Sequence, residues 1–167
     1  MFIPIKPKID EKVLVGWREW CSLPVLGLPA VKAKIDTGAR TSALHAFEIE
    51  QIEQDGKPYV RFCIHPLQRH TDLVKACIAP LVDRRPVKTS SGKKEHRFVI
   101  KTPIQIGNNR WEIEITLTNR RPMRFRMLLG REALRKRMVV DPGRSYYHGK
   151  ILTKQLLVLY STPPASL

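Results

Sequence analysis

A chain of 167 residues with 43% hydrophobic and 27% charged residues excludes a disordered protein. It is long enough to bury one good core and short for two, so one domain is expected over residues 1–167, with residues 161–167 as a loose tail. Thirty Lys and Arg against fifteen Asp and Glu leave a formal charge of +15, which concentrates acidic partners and speeds their arrival.

Cys21, Cys63 and Cys77 are too few and too irregular for a disulfide framework, and this favours a reducing compartment. Pro4 and Lys6 interrupt the apolar start Met1-Phe2-Ile3-Pro4-Ile5, so no signal-peptide core is expected. No apolar run reaches the length of a membrane span. The chain reads as cytoplasmic, without a membrane partner.

In chain order, short β-branched runs separated by Gly, Pro, Asn and Asp predict an all-β barrel or sandwich. Strands are expected near Val13 to Trp17, Val31 to Ile35, Tyr59 to His65, Leu73 to Ile78, Arg97 to Lys101, Trp111 to Thr118 and Phe125 to Leu129. Ser90-Ser91-Gly92-Lys93 makes a hairpin tip after Arg84-Arg85, and Gly107-Asn108-Asn109 joins Ile104-Gln105-Ile106 to the alternating run from Trp111. One short helix is expected, Arg131 to Arg137, directly after Gly130. Tyr146 to Tyr160 is open between another strand and an element for dimerisation.

Asp36 closes the strand at Val31 to Ile35 and is followed by Thr37 and Gly38. A carboxylate there is chemically suggestive, because Gly lets backbone approach closely and a Thr hydroxyl can brace the turn. Taken alone, an Asp at a strand end is more often a turn former. Downstream, Arg126-Met127-Leu128-Leu129-Gly130-Arg131-Glu132-Ala133-Leu134 reads as an apolar strand running into Gly and a helix that wraps behind the Asp36 turn.

The order Ile35-Asp36-Thr37-Gly38-Ala39, a Gly-containing hairpin, then Leu-Leu-Gly-Arg and a helix resembles the retropepsin-like aspartic proteases from about Val31 to Leu134. The longer stretch Lys34 to Ala46, with Val15-Gly16-Trp17-Arg18-Glu19 before it, is similar to a bacterial RimB-type family once labelled ATP-dependent zinc proteases. The resemblance implies a single-lobe, closed acid-protease barrel and an aspartic endopeptidase acting on glutamate-rich tails of a ribosomal protein. It implies Asp36, Thr37 and Gly38 as the catalytic loop and Ser90, Ser91, Gly92 and Lys93 as a flap, with Lys94 beside it. Aspartic proteases work with two carboxylates, one ionised to take a proton from water and one protonated to polarise the scissile carbonyl. This chain has a single Asp-Thr-Gly, and Asp141, ahead of Pro142-Gly143, lacks the Thr. A homodimer that juxtaposes two copies of Asp36 is therefore expected, as in the retroviral enzymes.

Arg40 stands where retroviral enzymes commonly carry an Asp that pairs with the Arg of the Leu-Leu-Gly-Arg segment, here Arg131. Two neighbouring guanidiniums require a compensating acid or an anion. Either Glu132 supplies it, or Arg40 and Arg131, with Lys93 and Lys94, receive substrate glutamates through charge-assisted contacts.

No cofactor or metal is expected. There is no His-Glu-x-x-His pair and no phosphate-binding Gly-x-x-x-x-Gly-Lys-Ser/Thr loop. Cys63, His65, His70 and Cys77 fit no strong zinc spacing, and His45 is read as a brace for the Asp36 loop. The competing function is a non-catalytic RNA or ribosome binder on the same fold. Arg84-Arg85, Lys93-Lys94, Arg120-Arg121, Arg124-Arg126 and Arg135-Lys136-Arg137 would hold phosphates, while Trp111, Phe125 and Tyr146-Tyr147 stack bases.

Overall fold

The computed structural model describes residues 2–6, 9–119 and 124–162. The strands in chain order are β1 (Val13–Gly16), β2 (Arg18–Leu23), β3 (Leu28–Ile35), β4 (Ser42–His45), β5 (Phe47–Gln54) and β6 (Lys57–Ile64). They continue with β7 (Lys75–Lys88), β8 (Lys94–Ile106), β9 (Asn109–Thr118), β10 (Met127–Leu129) and β11 (Met138–Asp141). Helix α1 (Arg131–Leu134) follows β10, and α2 (Thr153–Ser161) follows β11.

Six strands, β2-β3-β10-β4-β9-β8, close on themselves through the pairing of Ser22 with Gln105, giving the closed all-β barrel the sequence implied. Closure removes free sheet edges from the part of the fold that carries Asp36. Inward positions alternate with outward ones, so Leu23, Leu28, Ala33, Leu44, Ile100, Ile115, Met127 and Leu129 are fully buried. The short strand β10 lies between β3, to which it is parallel, and β4, to which it is antiparallel. That insertion brings Leu129 and Gly130 beside the Asp36 turn.

Two appendages leave the barrel. The β5–β6 hairpin turns at Asp55 (φ 51°) and Gly56 (φ 73°), the left-handed pair that suits a two-residue turn between twisted strands. The first half of β7 pairs with β6, and its second half pairs with β8 as far as Lys88 opposite Lys94. Because β9 pairs with β8 only from Val99 onward, residues 94–98 pair with β7 alone and form a two-stranded arm beyond that ladder.

Several expected boundaries move. The strand expected at Val13 to Trp17 breaks at Trp17, whose N–H donates to the Arg144 carbonyl while its own carbonyl accepts from Ile35. A separate strand, β2, then begins at Arg18. The helix expected to Arg137 stops at Leu134, because Arg135 is extended (ψ 144°) and Lys136 has φ 66°. The expectation of one helix is also corrected, since Thr153–Ser161 forms α2 rather than a strand. Leu156 and Tyr160, one turn apart, bury against the barrel, and the Tyr160 hydroxyl donates to the Ala30 carbonyl. Ser161 thus belongs to a helix, and residues 163–167 of the expected tail lie outside the described residues. No helix among the described residues is long and apolar enough to cross a membrane.

Candidate active site

Asp36 sits directly after β3, half-buried, with Thr37 and Gly38 exposed at the tip of its turn. Its backbone N–H donates to the Leu129 carbonyl at 2.8 Å, which extends the β3–β10 pairing and fixes where the turn begins. Its Oδ1 accepts from the Gly38 N–H at 3.1 Å, orienting the carboxylate from within its own turn.

The start of α1 clamps the far side of the loop. The N–H groups of Arg131 and Glu132, unsatisfied within a helix first turn, donate to the carbonyls of Ala39 at 2.9 Å and Arg40 at 3.0 Å. The Gly130 N–H donates to Ser42 Oγ at 3.1 Å, and the Ser42 carbonyl accepts from Thr116 Oγ1 at 2.9 Å. Gly130 is required by space rather than by torsion: an added Cβ would stand 2.6 Å from the Thr41 carbonyl carbon. Trp111 holds α1 from behind, donating Nε1–H to the Ala133 carbonyl.

Asp36, Thr37, Gly38, Arg40 and Arg131 therefore form one constellation. Arg131 Nη1 donates to the Thr37 carbonyl at 2.9 Å, bracing the turn. Arg40 Nε lies 3.6 Å from Glu132 Oε1, and the same carboxylate meets Arg135 Nε at 3.5 Å. Glu132 thus pairs with Arg40 and Arg135, while 78% side-chain exposure leaves Arg40 accessible from solvent.

Ser90, Ser91, Gly92 and Lys93 occupy the turn of the β7–β8 arm, where Gly92 has φ 83° and Thr89 N–H donates to the Lys93 carbonyl. Lys94 opens β8.

Other expectations are redirected. His45 is buried at the far end of β4, level with Thr118, and its N–H donates to Arg126; the clamp on the Asp36 loop is supplied by Ser42 and α1. Cys63 and Cys77 fall in adjacent cross-strand pairs, Cys63 with Ala76 and Cys77 with Phe62, so they point to opposite faces. Burial pushes the Cys77 and Cys21 thiols up to about 12, which makes them packing groups rather than nucleophiles. His65 stacks on Phe47, with ring centroids 4.6 Å apart. The rings expected to stack bases at Trp111 and Phe125 are buried, which corrects that reading, and Arg120 and Arg121 lie outside the described residues. Ser42 was missed because a Ser opening a short strand carries no distinctive spacing.

A six-stranded closed barrel whose Asp-Thr-Gly turn is clamped by a Leu-Leu-Gly-Arg strand and helix defines the retropepsin-like class. Residues 14–150 match the RimB-like family, described as retropepsin-like aspartic endopeptidase RimB, and the chain belongs to that family. Among curated relatives, a probable alpha-L-glutamate ligase of Shewanella pealeana is 45% identical over 156 residues, covering 93% of this chain and 34% of the relative. A protein of the same name from Parasynechococcus marenigrum is 46% identical over 153 residues, covering 92% of this chain and 33% of the relative. The chain thus spans only a third of the length of these relatives. A solved protein of unknown function from Legionella pneumophila superposes with a TM-score of 0.69 at 29% identity, covering 82% of this chain and 98% of that one.

Proposed function

We propose that this chain is an aspartic endopeptidase that hydrolyses peptide bonds in acidic, glutamate-rich segments through Asp36 and its copy in a second chain. The observation that carries the reading is the Asp36 turn: a half-exposed carboxylate, oriented by the Gly38 N–H, on a loop whose backbone is tied to β10 and α1. Such a fixed carboxylate is suited to taking a proton from water without reorganising. With Thr37 and Gly38 exposed at the tip, the turn is free to meet a second copy about a two-fold axis, placing two carboxylates together. Like charges that close share one proton, so one Asp36 acts as base while its partner donates to the scissile carbonyl.

The charge of +15 supports an acidic substrate, and the name of the relatives, probable alpha-L-glutamate ligase, puts L-glutamate in their chemistry. The projecting arm, with Ser90 to Lys93 at its tip, is the flap of this reading. A ribosomal protein tail is the natural target class, and the chain works in the cytoplasm. Incubation with poly-α-glutamate and with a neutral peptide, followed by mass analysis, tests the reading. Cleavage of poly-glutamate should vanish in Asp36→Asn, whose amide oxygen still accepts from Gly38. Cleavage that survives the substitution, or no cleavage by the unaltered protein, overturns it.

A further inference from the structure

The outer face of β2 and β3 carries a row of cations with no acid paired to them among the described residues. Along β3, Val31, Ala33 and Ile35 are buried, while Lys32 and Lys34 point the other way, and the same two-residue step continues to Asp36. On β2, Arg18 lies opposite Lys34 and Trp20 opposite Lys32, so all four share that face. The row adjoins the Asp36 turn directly, because the Ile35 N–H donates to the Trp17 carbonyl.

These cations are held by rings. The Arg18 guanidinium lies 4.5 Å from the Trp17 centroid and 4.9 Å from that of Tyr146. Lys32 Nζ lies 5.2 Å from the Trp20 ring and 5.9 Å from Tyr146, and Trp20 stacks on Tyr146 at 6.5 Å. Ring contacts fix the cations in place without neutralising them. Among the described residues no ion pair involves Arg18, Lys32 or Lys34, and the buried Arg18 Nε has no hydrogen-bond acceptor. Burial, then the charges of Arg18, Arg69 and Lys150, hold the Lys32 ammonium below its usual pKa. Like charges gathered in this way repel one another, and an anion placed among them relieves that repulsion.

We propose that Arg18, Lys32 and Lys34 form a track that reads the side-chain carboxylates of an acidic peptide on its way to Asp36. Alternate residues of a strand are spaced by about 6.6 Å, and an extended acidic chain presents every second carboxylate at the same interval. Every second glutamate of such a chain can therefore meet Lys32 and Lys34 in turn. The inner ring faces are already covered by Arg18, Lys32 and one another, which disfavours nucleobases as the ligand. The inference rests on the reading of Asp36 as a peptidase centre for acidic chains.

The test uses Lys34→Gln, which alters an exposed side chain, and the double variant Lys32→Gln with Lys34→Gln. Binding of hexa-α-glutamate and of hexauridylate is measured by fluorescence anisotropy in an Asp36→Asn background, and cleavage kinetics with Asp36 intact. The double variant should weaken hexaglutamate binding about tenfold, from two charge contacts of about threefold each. It should raise KM for poly-glutamate by a similar factor with little change in kcat, and lower kcat/KM on a neutral peptide far less. Lys34→Arg should restore binding. Hexaglutamate affinity indifferent to both lysines, or a lysine dependence seen only for hexauridylate, overturns the track. If no peptide is cleaved, the peptidase reading falls, and the binding arm still decides the track.

Discussion

Gly130→Ala presses on the contact that positions the Asp36 loop. The new methyl would stand 2.6 Å from the Thr41 carbonyl carbon, 2.7 Å from the Thr41 oxygen and 2.8 Å from the Arg40 oxygen. All three are backbone atoms, so no rotamer change relieves the overlap. Reaching ordinary contact with the Thr41 carbon requires the segment to retreat by about 0.9 Å, since carbon contacts settle near ~3.5 Å. The retreat acts on the bonds from Arg131 N–H to Ala39 and from Glu132 N–H to Arg40, now 2.9 and 3.0 Å. Losing two such bonds at about 1 kcal/mol each, with about 1–3 kcal/mol for overpacking, gives about 3–5 kcal/mol of lost stability. The variant should stay folded, with an unchanged urea m-value, a lowered midpoint and strongly reduced peptidase activity, because Asp36 hangs from the same clamp. A loss below about 1 kcal/mol with full activity would refute the claim that this close approach sets the loop.

Arg40→Ala removes an exposed partner of Glu132 and should change stability by less than about 1 kcal/mol in chemical denaturation. Its activity on poly-glutamate should fall more than on a neutral peptide, and equal losses would assign Arg40 to bracing alone. Glu19 is fully buried on β2, where Oε1 accepts from the His148 N–H, and burial raises its carboxyl above the ordinary value of 4.5. The folded chain then holds this proton to higher pH than the unfolded chain does. Its destabilising contribution is absent below the unfolded value and grows until pH passes the raised folded value. Thermal melts should therefore show the wild type losing ground to Glu19→Gln as pH rises through that window, and parallel curves would contradict this.

Much of the site was legible because its residues are tied to backbone events that a sequence records. Asp36 ends an alternating strand, and Gly130 marks a close approach, so the two halves of the clamp stand out as Asp-Thr-Gly and Leu-Leu-Gly-Arg. The alternating run from Trp111 and the Gly107-Asn108 turn appear as β9 and its hairpin for the same reason. Strand β4 was hidden because all four of its residues, Ser42 and His45 included, are buried, which leaves no alternation to read. Strand β5 was hidden by a register shift between Phe47 and Glu50, beside Glu48 at φ 51°. In α2, Leu156, Leu157, Val158 and Leu159 are consecutive, so a helical face cannot be separated from an apolar strand by period. The Lys32 and Lys34 alternation was visible in Val31 to Ile35, but only the pairing with β2 joins it to Arg18 and the rings.

The claim that two Asp36 carboxylates make one site is tested most directly by subunit mixing. Wild-type protein is allowed to exchange with an equal amount of Asp36→Asn, and cleavage of poly-α-glutamate is compared with that of the same quantity of wild type alone. If each site needs both copies, random pairing leaves about half of the original activity, and excess variant drives it toward zero. Activity that stays constant as the variant is added would mean that each chain cleaves by itself, and would contradict the shared site.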